Sequence, residues 1–273
     1  MRSANPALSS RTFDFGSYER AAAADAARQA GDPVGERAAA PAKTMTLSGT
    51  ALKTLMLVGL VTVAAAYTWS IALPETPPAD GGLIDQRVLP WVIGGALGGF
   101  VVGLVAVFWK RAAPVLAPLY AALEGLFLGG ISAMFEASYP GIALQAVLCT
   151  FGTLAALLIV YLTGLIKPTE NVKLGIAAAT GGVFLVYLFT FIFSLFTEGV
   201  PLIHQSGPIG IGFSVVVIII AALNLVLDFD FIEQGVEKGA PRYMEWYAAF
   251  GLLVTLVWLY IEFLRLLAKL RER

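Results

Sequence analysis

The sequence predicts an all-α, polytopic membrane protein: a bundle of seven transmembrane helices with its N-terminus in the cytoplasm. Three observations lead there. The 273 residues are 58% hydrophobic and 14% charged, with a mean hydropathy of +0.79, where soluble domains carry about 25% charged residues. The apolar excess is gathered into seven runs, each near the ~20 residues that cross the hydrocarbon core. Short polar breaks separate the runs, and their lysines and arginines are unevenly distributed.

Residues 1–48 are rich in Ala, Ser, Arg and Asp and lack a buriable apolar periodicity. They read as a disordered cytoplasmic tail, with residues 49–273 as the transmembrane domain. No apolar core lies near Met1, so a secretory signal is not expected. The runs are approximately Ala51–Leu73, Pro90–Trp109, Pro114–Phe135, Gly141–Ile166, Leu174–Thr197, Gly207–Phe231 and Tyr243–Leu267. The first break runs from Pro74-Glu75-Thr76-Pro77-Pro78 to Arg87. Lys110-Arg111, then Lys167-Pro168-Thr169-Glu170-Asn171, then Glu237-Lys238-Gly239-Ala240-Pro241-Arg242 make three more.

Cytoplasmic flanks carry the excess of Lys and Arg. With the N-terminus inside, the inner flanks hold Lys53, Lys110, Arg111, Lys167, Lys173, Lys238 and Arg242. The outer loops hold only Arg87, beside Glu75, Asp80, Asp85, Glu136 and Glu198. The C-terminus runs against this rule, because seven spans put Arg265, Lys269, Arg271 and Arg273 outside. The last run is nevertheless long enough to cross. The second run carries Gly94, Gly95, Gly98, Gly99 and Gly103, and a spacing of four sets small residues on one face for close helix approach. The same spacing also suits a homo-oligomer face.

Several function classes lose support. A formal net charge of −1 gives no general attraction to nucleic acid. The single Cys149 reads as a small buried hydrophobe. No phosphate-cradling G-x-x-x-x-G-K-[ST] loop occurs, and no cofactor is implied. The single histidine, His204, lies in a short outer loop. A Ser–His or Cys–His nucleophile system inside the membrane would need a buried histidine, so an enzyme is not expected. Tyr187, Phe189, Phe191, Phe193 and Phe196 read as packing or lipid-facing aromatics.

The candidate chemistry is carboxylate in lipid. An ionisable group inside a span is costly and marks a functional site by default. Asp228 follows the apolar run Ile209–Leu227, and Glu124 sits inside Leu116–Ile131. Asn224 shares a helix face with Asp228 four residues on, and Asp230 and Glu233 continue toward the turn. Asp228 lies about ten residues from that turn, ~15 Å at 1.5 Å per residue. Glu124 lies at a similar depth on the same side, so the two are expected to face each other and hold a shared proton or a hard cation through oxygen ligands. Glu233 and Glu245 flank the turn as a shallower acid pair at the inner mouth. Glu262 lies toward the far end of the last run and is not expected to meet Asp228.

Two stretches carry a resemblance. Leu119-Tyr120-Ala121-Ala122-Leu123-Glu124-Gly125-Leu126-Phe127-Leu128-Gly129 is similar to the third-helix Glu-Gly motif of the Bax-inhibitor family, the transmembrane Bax inhibitor motif proteins. Leu227-Asp228-Phe229-Asp230-Phe231-Ile232 resembles that family's sixth-helix Tyr-Asp-Thr-Gln motif, with Asp228 at its aspartate. The resemblance spans roughly Leu52 to Leu267. The long tail and Tyr243-Met244-Glu245-Trp246-Tyr247 look like the bacterial, actinobacterial-type branch. The resemblance implies a seven-helix bundle with a central last helix. It also implies a pH-sensitive calcium leak gated by two aspartates of the sixth and seventh helices. Here the second aspartate falls near Leu253, which is apolar, so the resemblance leaves Glu124 or Glu245 as its substitute, or the gated leak lost. The expectation is a passive, proton-sensitive cation pathway, with calcium as the first ion, in the cytoplasmic membrane. The alternative is a non-transporting membrane protein that binds or regulates others.

Overall fold

A computed structural model describes residues 44–73, 84–166, 168–194 and 207–272. Seven long helices form in chain order: α1 Leu47–Ala72, α2 Leu89–Phe108, α3 Ala113–Ser138, α4 Ile142–Leu162, α5 Glu170–Ser194, α6 Pro208–Glu237 and α7 Met244–Arg271. All seven are long and apolar enough to cross a membrane. The chain is a multi-pass membrane protein, as the apolar runs predict.

Helix ends follow local chemistry. Thr46 caps α1, its hydroxyl accepting from the Gly49 amide at 2.9 Å, which satisfies one of the free amides of a first turn. Residues 44–48 therefore belong to the bundle, although the sequence assigns them to the tail; the rest of that tail lies outside the described residues. Prolines stand in the first turns of α2, α3 and α6, where a missing N–H costs nothing. Gly239, at φ +64°, provides the left-handed residue that ends α6. This helix runs six residues past the apolar run, to Glu237, because backbone hydrogen bonding continues through the more polar stretch that follows Phe231.

The layers differ in burial. Of the apolar window of α7, 56% is inside the bundle, and of α3 50%, against 17% for α1, α2 and α5. α7 is thus central, touching α1, α3, α4 and α6, while α3 packs on α1 and α2, and α5 leans on α6. Large apolar side chains such as Leu55, Val63, Phe100, Phe184 and Phe189 point outward and are exposed, as a lipid-facing ring requires. The glycine face of α2 is taken up by α3. A Cβ on Gly95 would stand 2.6 Å from the Leu123 carbonyl oxygen, and one on Gly99 2.9 Å from a Glu124 carboxylate oxygen, whereas Gly94 faces open space.

The C-terminal basic residues, unexpected for an outer flank, have partners in the bundle. Arg265 donates to Glu262 at 3.1 Å. Lys269 donates to the Gly210 carbonyl at 3.0 Å and the Ser214 hydroxyl at 2.9 Å. Arg271 donates to the Pro140 carbonyl at 2.7 Å and to Gln145 at 2.9 Å. Arg273 lies outside the described residues.

Candidate functional site

The predicted site residues sort by what holds them. Asp228 is 2% exposed. The side chain that meets it is Thr255, from α7, and its Oδ2 is buried with no hydrogen-bond partner among the described residues. Thr255 is itself buried, and its hydroxyl also reaches the Gly251 carbonyl at 3.3 Å. This seam forms because α6 and α7 are antiparallel neighbours joined by the tight turn at Gly239.

Glu124 is also buried, but at another interface. Its neighbours are the Tyr120 hydroxyl, one turn back on α3, and the bare backbone of Gly99 on α2. Tyr120 is braced edge-on by Phe250 of α7, with ring centroids 5.0 Å apart. Glu124 therefore looks toward α2 and Asp228 toward α7. The structure does not join them in the two-carboxylate site that depth alone suggested, because depth leaves the direction around each helix open.

Glu245 is 2% exposed and fully engaged. Its Oε1 accepts from the Thr46 amide at 2.9 Å and the Thr46 hydroxyl at 3.0 Å. Its Oε2 pairs with Lys53 of α1, with Arg242 further off at 3.9 Å. Met45 donates its amide to the Ala240 carbonyl at 2.7 Å beside this pair. Glu245 thus fastens the start of α1 to the start of α7 and is closed to a free ligand. Glu233 accepts from Tyr161 of α4, so it and Glu245 reach different helices instead of forming a mouth pair. Asp230 is ion-paired with Lys173 of α5 at 2.6 Å and accepts from Gln234 at 2.6 Å. Asn224 donates to Thr180 of α5 and to the Ile220 carbonyl, both at 2.8 Å. Asp230 and Asn224 hold α5 against α6.

Leu253, where the resemblance led us to look for a second aspartate, is buried among Leu57, Ala121, Phe250 and Val257. The residue that meets Asp228 lies two positions on. Leu253, Leu256, Val257 and Tyr260 of α7 also wall a cavity of about 180 Å³ shared with α1, α3 and α4. Its lining is almost wholly apolar, and Asp228 is not part of it: α7 presents Thr255 to the aspartate and these other side chains to the cavity. Among the described residues, no group of three or more His, Cys, Asp and Glu stands together as a metal cluster.

Sequence reasoning missed Thr46, Lys53, Thr255 and Tyr187. The first had a signal, a threonine just before an apolar run. Lys53 had one as well, a cation inside a span. Thr255 and Tyr187 had none, since a hydroxyl on an apolar helix is ordinary until a carboxylate arrives opposite.

These features define a class: a seven-helix membrane protein with a buried, incompletely partnered acid where its last two helices meet. The chain belongs to the Bax inhibitor 1 like family, whose model matches residues 5–272, a longer span than the resemblance at 52–267 and one that takes in most of the tail. No curated protein and no solved structure matches it.

Proposed function

We propose that this protein is a pH-sensitive passive cation leak, with calcium as its ion, in the cytoplasmic membrane, with its N-terminus in the cytoplasm. The observation that carries the reading is the free oxygen of Asp228. An uncompensated buried carboxylate oxygen costs on the order of 1–3 kcal/mol or more, and among the described residues no basic side chain pairs with Asp228. Such a cost persists where the group serves a ligand. A hard cation takes oxygen donors, and Asp228 with the Thr255 hydroxyl offers two kinds. A proton competes for the same oxygen, so acid weakens cation binding and changes the open fraction. Glu124 supplies a second buried carboxylate on the α2 side of α3.

In this arrangement the leak is shut. The cavity is apolar, and α7 separates it from Asp228. Opening requires α7 to turn or shift against α6 so that Thr255 and Asp228 reach the cavity. Calcium flux into proteoliposomes holding the purified protein, at acid and alkaline pH, tests this beside Asp228→Asn. Flux that varies with pH in the wild type and is lost in the folded variant is the expected result. Flux no greater than that of empty liposomes at both pH values would sink the proposal.

A further inference from the structure

Asp228 is one of two places where a buried carboxylate oxygen lacks a partner among the described residues. The other is Glu262 Oε2, on a side chain 1% exposed. Polar groups reach this glutamate from α5 and from the next turn of α7 itself. Tyr187 of α5 donates to Oε1 at 2.8 Å, and Arg265 donates to the same oxygen at 3.1 Å. Arg265 also lies over the Tyr187 ring, 5.3 Å from its centroid. An arginine fork commonly engages both oxygens of a carboxylate. Here both donors crowd one oxygen and leave the other bare, so ion pairing accounts for Oε1 and not for Oε2.

The position of Glu262 is set by a register. Thr255, Glu262 and Lys269 follow one another at intervals of seven on α7, a spacing that returns to the same helix face every two turns, ~10.5 Å apart. Thr255 meets Asp228, and Lys269 meets Ser214. Asp228 and Ser214 are as far apart on α6 as Thr255 and Lys269 are on α7, so the antiparallel register holds along the whole seam. Midway between these two contacts, it sets Glu262 opposite Ala221. Ala221 is wholly buried, and its methyl offers the carboxylate no hydrogen bond. This face of α7 is therefore a line of polar groups in an apolar wall: Thr255 at Asp228 of α6, Glu262 at Tyr187 of α5, and Lys269 at Ser214 of α6.

We infer that Glu262 is a second hard-cation station on the α6–α7 seam, two helical turns beyond Asp228, with Arg265 as the tethered cation that occupies it when no metal does. Its donors are oxygens: the free carboxylate Oε2 and, once Arg265 swings out, Oε1 and the Tyr187 hydroxyl. The Arg265 side chain is 40% exposed, so it can leave without unpacking the core. The inference deepens the leak reading and rests on it for the identity of the ion, while the station itself is read by binding.

The test pairs calcium titration by calorimetry with proteoliposome flux, on the full chain and on Glu262→Gln, Arg265→Gln and Asp228→Asn. Removing the tethered charge should raise calcium affinity by about fivefold, the upper scale of an ion pair with a partly exposed partner. Removing the carboxylate should lower flux by a similar factor, with the Asp228-dependent binding retained. Opposite effects of two substitutions in one ion pair are what a competing cation site produces; a merely structural pair loses stability in both. Unchanged affinity in Arg265→Gln overturns the inference, and this variant decides alone if Glu262→Gln does not fold. Absent flux in the wild type sinks the leak but leaves the affinity change to be read. Flux lost in Asp228→Asn and untouched in Glu262→Gln overturns the second station alone.

Discussion

At the Gly239 end of α7, Glu245 has both oxygens engaged by Thr46 and Lys53; further along the same helix, Thr255 and Glu262 bring the chain to carboxylates that each keep one oxygen free. The three acids are about equally buried, so burial does not tell them apart. Partnership does. A buried ion pair with all hydrogen bonds made is a joint, and breaking one side leaves an uncompensated charge. A buried acid with a free oxygen is held in place by its neighbours while one lone-pair face stays without a hydrogen bond among the described residues. The comparison teaches that in a membrane bundle the acid worth testing for transport is the less satisfied one, even where another is more prominent near the mouth.

Removing the negative charge at each of the two acids should separate them most plainly. Glu245→Ala strands Lys53 in a buried place and should destabilise the fold by about 3–5 kcal/mol. Asp228→Asn removes a charge that no cation balances among the described residues and should leave the midpoint of thermal unfolding in detergent unchanged or raised. A large loss in both variants would show that the free oxygen of Asp228 has a structural partner after all.

A gentler test presses on the joint without removing it. A Cβ on Gly49 would run into the Glu245 carboxylate and stand 2.6 Å from the Thr46 hydroxyl. Gly49→Ala should therefore cost about 1–3 kcal/mol, the usual range for overpacking. Gly94→Ala, with nothing within 4 Å, should stay within about 0.5 kcal/mol. Equal melting shifts for the two alanines would mean that Glu245 yields freely and that the joint is loose.

The smallest effect belongs to an ion pair outside the spans. Asp85 accepts from the Arg87 side chain, at 2.8 Å from Nε, and from the Arg87 amide at 2.9 Å. These bonds, the side-chain one first, hold its carboxyl below the usual 3.8. A lowered folded value means that the stabilisation is present above the unfolded value and fades as pH falls through the folded one. Melting points measured down to strongly acid pH should show a slight extra loss below the usual carboxylate range, absent in Asp85→Asn. An identical acid limb in both proteins would remove Asp85 from the account and leave the contrast with Glu245, whose partners are buried, all the sharper.

Much of the architecture was legible before any coordinates. Seven runs of apolar residues became seven helices, with ends displaced by up to six residues where backbone hydrogen bonds outran the hydrophobic stretch, as at Phe231 against Glu237. Asp228 was legible as well, because an acid after an unbroken apolar run has few ordinary explanations. Its partner was not. The expected facing acid, Glu124, turned to Gly99; the mouth pair of Glu233 and Glu245 went to Tyr161 and Lys53; and Glu262, set aside for its distance from Asp228, was found with the same kind of free oxygen.

What the sequence by itself determined is the set of spans and their cargo of acids, because crossing a bilayer is a demand on consecutive residues and is written along the chain. Only the tertiary structure decided which acid is spent and which is free. That outcome depends on the rotation of each helix and on which neighbour it meets, and Lys53 comes to Glu245 across 192 positions of sequence. A one-dimensional pattern fixes the depth of a charge in the membrane, while its partner is chosen by packing.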